Sequence, residues 1–255
     1  CATSSGVYKT SDGGITWAIK QAGNFALGAI RLKPGNPTIV YATSKNKFFK
    51  STNSGDTFSS LTTGFPSVTG RIVMDVTAAN PEYIYCLLAT SSNAFQGIYK
   101  STNGGTSWAN TGLSAATTDI FDGATQAWYN LAICVSQTNP NEIYTGNLNI
   151  WKSIDGGATA TAVNNWNTYS MAFTHADIHF LQFFGDKLYC GSDGGIYVSS
   201  DGGTIFNDII GAAQIGQFYK ISVSKQTASK ITGGLQDNGG FIYNNSNWQS
   251  YHPGD

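Results

Sequence analysis

A ten-residue pattern that recurs five times constrains this chain more than anything else in it. Its core reads Ser/Thr-x-Asp/Asn-x-Gly-x-Thr/Ser-Trp/Phe, with an aromatic residue and a small or basic residue just before it. The clearest copy is Tyr8-Lys9-Thr10-Ser11-Asp12-Gly13-Gly14-Ile15-Thr16-Trp17. Two more run from Phe49 to Phe58 and from Tyr99 to Trp108, and looser ones from Trp151 to Thr159 and from Tyr197 to Phe206. The acidic or amide positions, Asp12, Asn53, Asn103, Asp155 and Asp201, are spaced by 41, 50, 52 and 46 residues. Steps of this size mark an array of one supersecondary unit. The Asp or Asn can accept hydrogen bonds from backbone N–H groups two or three residues on, Gly supplies positive φ, and Thr and Trp resume an extended strand.

The pattern resembles the Asp-box, or BNR repeat, of sialidases, sortilin-like receptors and two-propeller xyloglucan-hydrolysing glycosidases. The resemblance implies a structural turn far from any active site, so Asp12, Asn53, Asn103, Asp155 and Asp201 are expected to fasten hairpins.

Between the boxes the chain reads as short strands, four to a repeat. An apolar inner strand such as Ile72-Val73-Met74 leads to a turn, and three of these turns carry Asn-Pro at the same phase: Asn36-Pro37, Asn80-Pro81 and Asn139-Pro140. A second strand such as Tyr83-Ile84-Tyr85-Cys86 and a third such as Ile98-Tyr99-Lys100 then deliver the box. Four short strands per 41 to 52 residues predict an all-β fold, a β-propeller of four-stranded antiparallel blades. About five and a half blades are expected in one partial propeller domain over 1–255, with Cys1-Ala2-Thr3 at the end of a second strand and the last box decayed to Asn244-Asn245-Ser246-Asn247-Trp248. The chain is therefore expected to be a fragment, covalently continuous with further domains.

Charged residues make up only 11% of the chain and aromatic residues 13%, with a net charge of −1. That balance gives no electrostatic case for nucleic acid, and no apolar run approaches the 18 residues of a membrane span. The low charge suits an extracellular or cell-surface setting. Cys1, Cys86 and Cys190 fall at equivalent places in three repeats, too far apart to bridge, and with Cys134 they are expected as buried free thiols.

The run His175-Ala176-Asp177-Ile178-His179 holds two of the three histidines. In an extended strand, alternation would put His175, Asp177 and His179 on one face, a ligand set for a divalent metal or a polar network that pins the strand. No cofactor is otherwise required. At the same level of neighbouring repeats stand Trp128 and Tyr129, then Gln217, Phe218 and Tyr219. Aromatic faces beside carboxylates and amides suit a sugar-binding rim, although aromatics at strand ends also serve as core. Gly191-Ser192-Asp193-Gly194-Gly195 and Gly234-Leu235-Gln236-Asp237-Asn238-Gly239-Gly240 occupy the same turn in successive repeats. Each reads either as a glycine-dependent turn capped by Asp or as part of a catalytic set. In the second case Asp177, Asp193, Asp237 or Asp255 would supply the acid and base of an inverting glycosidase.

From about residue 170 to 255 these runs together resemble the sortilin-like, BNR-repeat secreted proteins of bacteria. That resemblance implies a secreted or surface-displayed propeller and no particular reaction. Arg31 and Arg71 are the only arginines, one short of the set with which Asp-box sialidases hold a sialate carboxylate. A binding or adhesion module for a glycan or protein is the first expectation, and a xyloglucanase-like glycosidase the alternative.

Overall fold

The structure is a computed structural model, and it describes residues 1–61, 63–66, 70–211, 216–227, 229–244 and 246–252. Asp255 lies outside the described residues, as does Asn245. Every described strand belongs to an antiparallel sheet whose strands follow one another in chain order. A leading two-stranded sheet pairs β1 (Gly6–Lys9) with β2 (Ala18–Ala22), and Ala2 bridges to Val7 on its other side. Blade 1 contains β3 (Ile30–Lys33), β4 (Asn36–Thr43), β5 (Phe48–Ser51) and β6 (Ser59–Ser60). Blade 2 contains β7 (Ile72–Val76), β8 (Ile84–Ala89), β9 (Phe95–Ser101) and β10 (Ala109–Asn110). Blade 3 contains β11 (Ala132–Val135), β12 (Ile143–Gly146), β13 (Ile150–Ser153) and β14 (Thr161–Ala162). Blade 4 contains β15 (Ile178–Phe184), β16 (Lys187–Ser192), β17 (Gly195–Ser199) and β18 (Asn207–Asp208). Blade 5 contains β19 (Phe218–Val223), β20 (Lys230–Leu235), β21 (Gly239–Asn244) and β22 (Asn247–His252). The expected five and a half blades are present as five full sheets and the shorter leading one.

Each box closes the hairpin between the third and fourth strands, and its acceptor reaches one residue further than the two or three expected. Asp12 Oδ1 accepts from Thr16 N at 2.9 Å and Asp155 Oδ1 from Thr159 N at 3.0 Å, four residues on in both cases. Asn53 and Asn103 make the same bond at 2.9 Å, and Asp201 makes it to Ile205 N at 3.0 Å. The Thr16 hydroxyl and amide hold the Asp12 carboxyl at about 2, and the Thr159 amide and hydroxyl hold Asp155 at about 2. In the third box the second glycine has to be glycine for a further reason. A Cβ on Gly105 would lie 2.6 Å from the Phe48 ring of the preceding blade.

Blades meet through side chains on both faces, so β8 is buried at all six positions. Cys86 and Leu88 pack with Tyr41 and Phe48 of blade 1, while Tyr85 and Leu87 pack with Ile133 and Val135 of blade 3. Cys134 and Tyr144 pack in turn with Ile178, Leu188 and Cys190 of blade 4. Burial pushes the Cys86, Cys134 and Cys190 thiols up, away from reactivity. Cys1 differs from the expectation: it is exposed, although it faces Tyr8 much as Cys86 faces Tyr99. Two of the lysines before a box also reach the following box. Lys50 donates to Gly104 O at 2.8 Å and Lys152 to Gly202 O at 3.4 Å, beside a Tyr144 hydroxyl that donates to the same Gly202 carbonyl at 2.9 Å.

The interface between blades 4 and 5 breaks this rule. No residue of blade 5 joins a cluster of buried side chains, and no described apolar side chain after Phe206 is buried.

Candidate functional site

The meander puts the box turns and the first-to-second-strand turns, three of them Asn-Pro, at one end of the blades. The second-to-third-strand turns and the connections into each inner strand lie at the other end. At that second end, between blades 4 and 5, lies a cleft of about 580 Å³. It is lined by the blade 4 turn at Gly191–Gly195, the blade 5 turn at Gln236–Asn238, and Tyr129, His179, Phe180, Ile196, Ile209, Ile210 and Gln217. Its volume falls within the usual range for ligand pockets.

Asp193 is the centre of its polar wall. Oδ1 faces His179 Nε2 at 2.7 Å, and Oδ2 accepts the Tyr129 hydroxyl at 2.6 Å. The Tyr129 ring meets the His179 ring edge to face with centroids 4.7 Å apart. That hydrogen bond, with lesser contributions from burial and from Asp237 and Asp177, pushes the Tyr129 hydroxyl well above its ordinary range, so it remains a donor. From blade 5, Asn238 Nδ2 reaches Asp193 O at 3.5 Å. Asp237 lines the same cleft in a left-handed conformation, φ +58°, which Asp tolerates better than most residues.

His179 reaches Asp193 because of a β-bulge. Along β15, Ile178 pairs with Ser192 and Phe180 with Gly191, leaving His179 as the extra residue. Tyr219 is the equivalent extra residue between Phe218 and Lys220 of β19. Bulges of this kind re-aim side chains beside functional sites.

The structure does not gather His175, Asp177 and His179 as strand alternation predicts. Asp177 has φ +62° and precedes β15, so the extended backbone on which that alternation depends begins only at Ile178. Asp177 Oδ1 accepts from Asn130 Nδ2 at 2.6 Å and from Gln126 Nε2, while His175 Nδ1 lies 3.1 Å from Ala176 O. The His175 ring packs over Gly194, where a Cβ would stand 2.4 Å from the ring's Cγ. Among the described residues no group of three His, Cys, Asp or Glu side chains is arranged to hold a metal ion. Asp177 does not line the cleft, and burial together with the Asp193 charge raises its carboxyl. Of the other rim residues, Gln217 lines the cleft, whereas Trp128 leans on Tyr129 with centroids 5.5 Å apart and Tyr219 stands exposed.

Sequence reasoning missed the support beneath this wall. Asn130 and Asn147 exchange bonds, with Asn147 Nδ2 to Asn130 O at 2.9 Å and Asn130 Nδ2 to Asn147 O at 3.2 Å, and Ile178 N donates to Asn147 O at 2.7 Å. Arg71 donates to the Leu27, Ala127 and Tyr129 carbonyls at 3.1, 3.0 and 3.3 Å, and burial lowers it to about 10. An arginine bonded to three carbonyls on two connections is a staple that sets the position of Tyr129. Only a lone polar residue just ahead of an inner strand, as at Asn130, hinted at this layer.

Solved propellers share the fold at low identity. The GH74 xyloglucanase from Xanthomonas campestris is similar at a TM-score of 0.60 and 13% identity, over 98% of this chain and 42% of that one. The GH74 enzyme from Niastella koreensis is similar at 0.58 and 19%, over 99% and 43%. YCF48 bound to D1 peptide is similar at 0.54 and 13%, over 98% and 75%. The chain thus spans less than half the length of either GH74 enzyme, and likeness at these identities establishes the fold alone. No curated protein sequence matches it. The model of the Sortilin-Vps10 family, described as sortilin, neurotensin receptor 3, matches residues 5–176. The match covers about two thirds of the chain and stops just short of the bulge at His179. With repeating boxes, four-stranded blades and that match, the chain belongs to the Sortilin-Vps10 family.

Proposed function

We propose that this propeller is an extracellular or cell-surface binding module that holds a glycan in the cleft between blades 4 and 5. The observation that carries the reading is the Tyr129–Asp193–His179 wall, bonded into one unit beside an open wedge. Carboxylates, amides, two hydroxyls and one imidazole face the cleft, and among the described residues no Lys or Arg lines it. An anionic ligand would meet like charge there. A neutral sugar would not: its hydroxyls can donate to Asp193 and Asp237 while its C–H faces lie against Phe180 and Tyr129. Family membership and the low charge support the extracellular setting.

The test is pull-down with a panel of plant, algal and bacterial polysaccharides, run beside an assay for new reducing ends. Binding to one polymer without release, weakened about ten-fold in Asp193→Asn, is the expected result. Equal binding by wild type and Asp193→Asn would overturn the reading. One observation favours a second reading, hydrolysis: Asp193 and Asp237 face the same cleft from successive blades. Release of reducing ends that either Asp193→Asn or Asp237→Asn abolishes would establish that pair as acid and base.

A further inference from the structure

From Gly156 to Thr174 the chain contains no charged residue, and within that stretch every residue from Asn165 to Met171 is exposed. Three large side chains project there: Trp166 at 44% exposure, Met171 at 67% and Tyr169 at 90%. Yet the segment is held. Trp166 N donates to Asn149 Oδ1 at 2.8 Å, Thr168 N to Asn165 O at 3.0 Å, and Phe206 N to Met171 O at 2.8 Å. The Tyr169 ring lies parallel to Phe173, with centroids 4.4 Å apart and planes 10° apart. Phe173 in turn meets Tyr197 edge-on and packs against the core between blades 3 and 4. Tyr169 is therefore an exposed ring stacked on Phe173 by one face, with the other open.

We infer that Trp166 and Tyr169 form a second ligand platform, one that takes the sugar rings of a neutral polysaccharide. The open ring offers a flat π surface to axial C–H groups. The side chains alternating with the aromatics, Asn165, Asn167, Thr168 and Ser170, carry only amides and hydroxyls, which pair with sugar hydroxyls. An uncharged segment offers nothing to an acidic or basic partner, and it lacks the basic residues with which surface-binding segments engage anionic lipid. Tyr169 is stacked before binding, which lowers the ordering cost of capture. None of Trp166, Tyr169 and Phe173 lines the cleft between blades 4 and 5, so the platform shares the ligand class proposed for that cleft but rests on different residues.

Affinity electrophoresis through native gels containing hydroxyethyl cellulose, xyloglucan or laminarin tests this. The comparison is made in an Asp193→Asn background, which weakens the cleft's share of the readout. Retardation by one polymer should persist there, weaken about ten-fold or more with Tyr169→Ala, and stay within about two-fold with Tyr169→Phe, which keeps the ring. Trp166→Ala should weaken it as well. The platform is overturned if the Asp193→Asn protein is not retarded by any of the polymers, or if adding Tyr169→Ala changes nothing. It is equally overturned if Tyr169→Ala abolishes vesicle binding or self-association and leaves retardation intact. Unchanged binding in Asp193→Asn alone overturns the cleft and leaves the platform standing, so failure of one site is distinguishable from failure of the other.

Discussion

The junction of blades 2 and 3 and the junction of blades 4 and 5 are built from the same repeat and end differently. In the first, Tyr85, Leu87 and Ile98 meet Ile133, Val135 and Ile143, and every one of these side chains is buried. In the second, the inner strand β19 is exposed at all six positions, and the space beside it is lined by Gly191, Gly194, Gly195 and Gly216. Branched apolar residues in contact make a wall, whereas on β15 and β19 large side chains such as Phe180, Phe184, Ile221 and Val223 stay exposed and glycine-rich turns line the wedge between the blades. A site therefore arises here without any change of topology, where two neighbouring blades do not close on each other.

The sharpest way to break this comparison is to cut the same kind of group from both junctions. Leu87→Ala should destabilise the protein by about 3 kcal/mol, because the cavity in a filled interface cannot collapse. Phe180→Ala, at the wedge and 43% exposed, should cost less than about 1 kcal/mol. Thermal or denaturant unfolding checks both, and equal costs would show that the wedge is packed as tightly as the wall. Next in size is Asn130→Ala, which removes a donor to Asp177 and breaks the exchange with Asn147, for about 2 kcal/mol. Asp193→Asn should reduce ligand binding about ten-fold while leaving the melting temperature within a few degrees, since Asn still accepts one bond but carries no charge.

The smallest effect lies at the opposite end of the molecule. Asp155 is held at about 2, below its ordinary 3.8, so its stabilisation is complete above about pH 4 and is lost as pH falls towards 2. Asp12, also held at about 2, adds to the same acid limb. Asp155→Asn, which copies the amide already used at Asn53 and Asn103, should leave the neutral-pH melting temperature nearly unchanged and make the loss from pH 4 to 2.5 shallower. An equally steep loss would mean that other carboxylates govern the acid limb.

What could be read from the sequence follows the same division. The boxes, the Asn-Pro turns and the strand phases were legible because each recurs with one physical cause, so Tyr41, Tyr85 and Tyr144 could be placed on second strands before any coordinates. The rim was legible only as residue types. Tyr129, His179, Asp193 and Gln217 do come together, but the bulge that turns His179 towards Asp193 leaves no mark in the composition. The left-handed Asp177 likewise defeats a period-two reading, since one residue of positive φ resets which face every neighbour takes. Gln126 and Arg71 act across 51 to 58 residues on Asp177 and Tyr129, and contacts of that range have no local signature.

The clasp from Lys50 to Gly104 O, and from Lys152 to Gly202 O, bears on inheritance as well as stability. Its acceptor is a main-chain carbonyl that every box possesses, so the receiving blade need not match any particular partner. A duplicated repeat bearing a lysine like Lys50 or Lys152 would arrive with its own clasp and its own socket. Such a joint lets a gene change its number of blades in one recombination event and keep a folded product, leaving the opposite rim free to diverge.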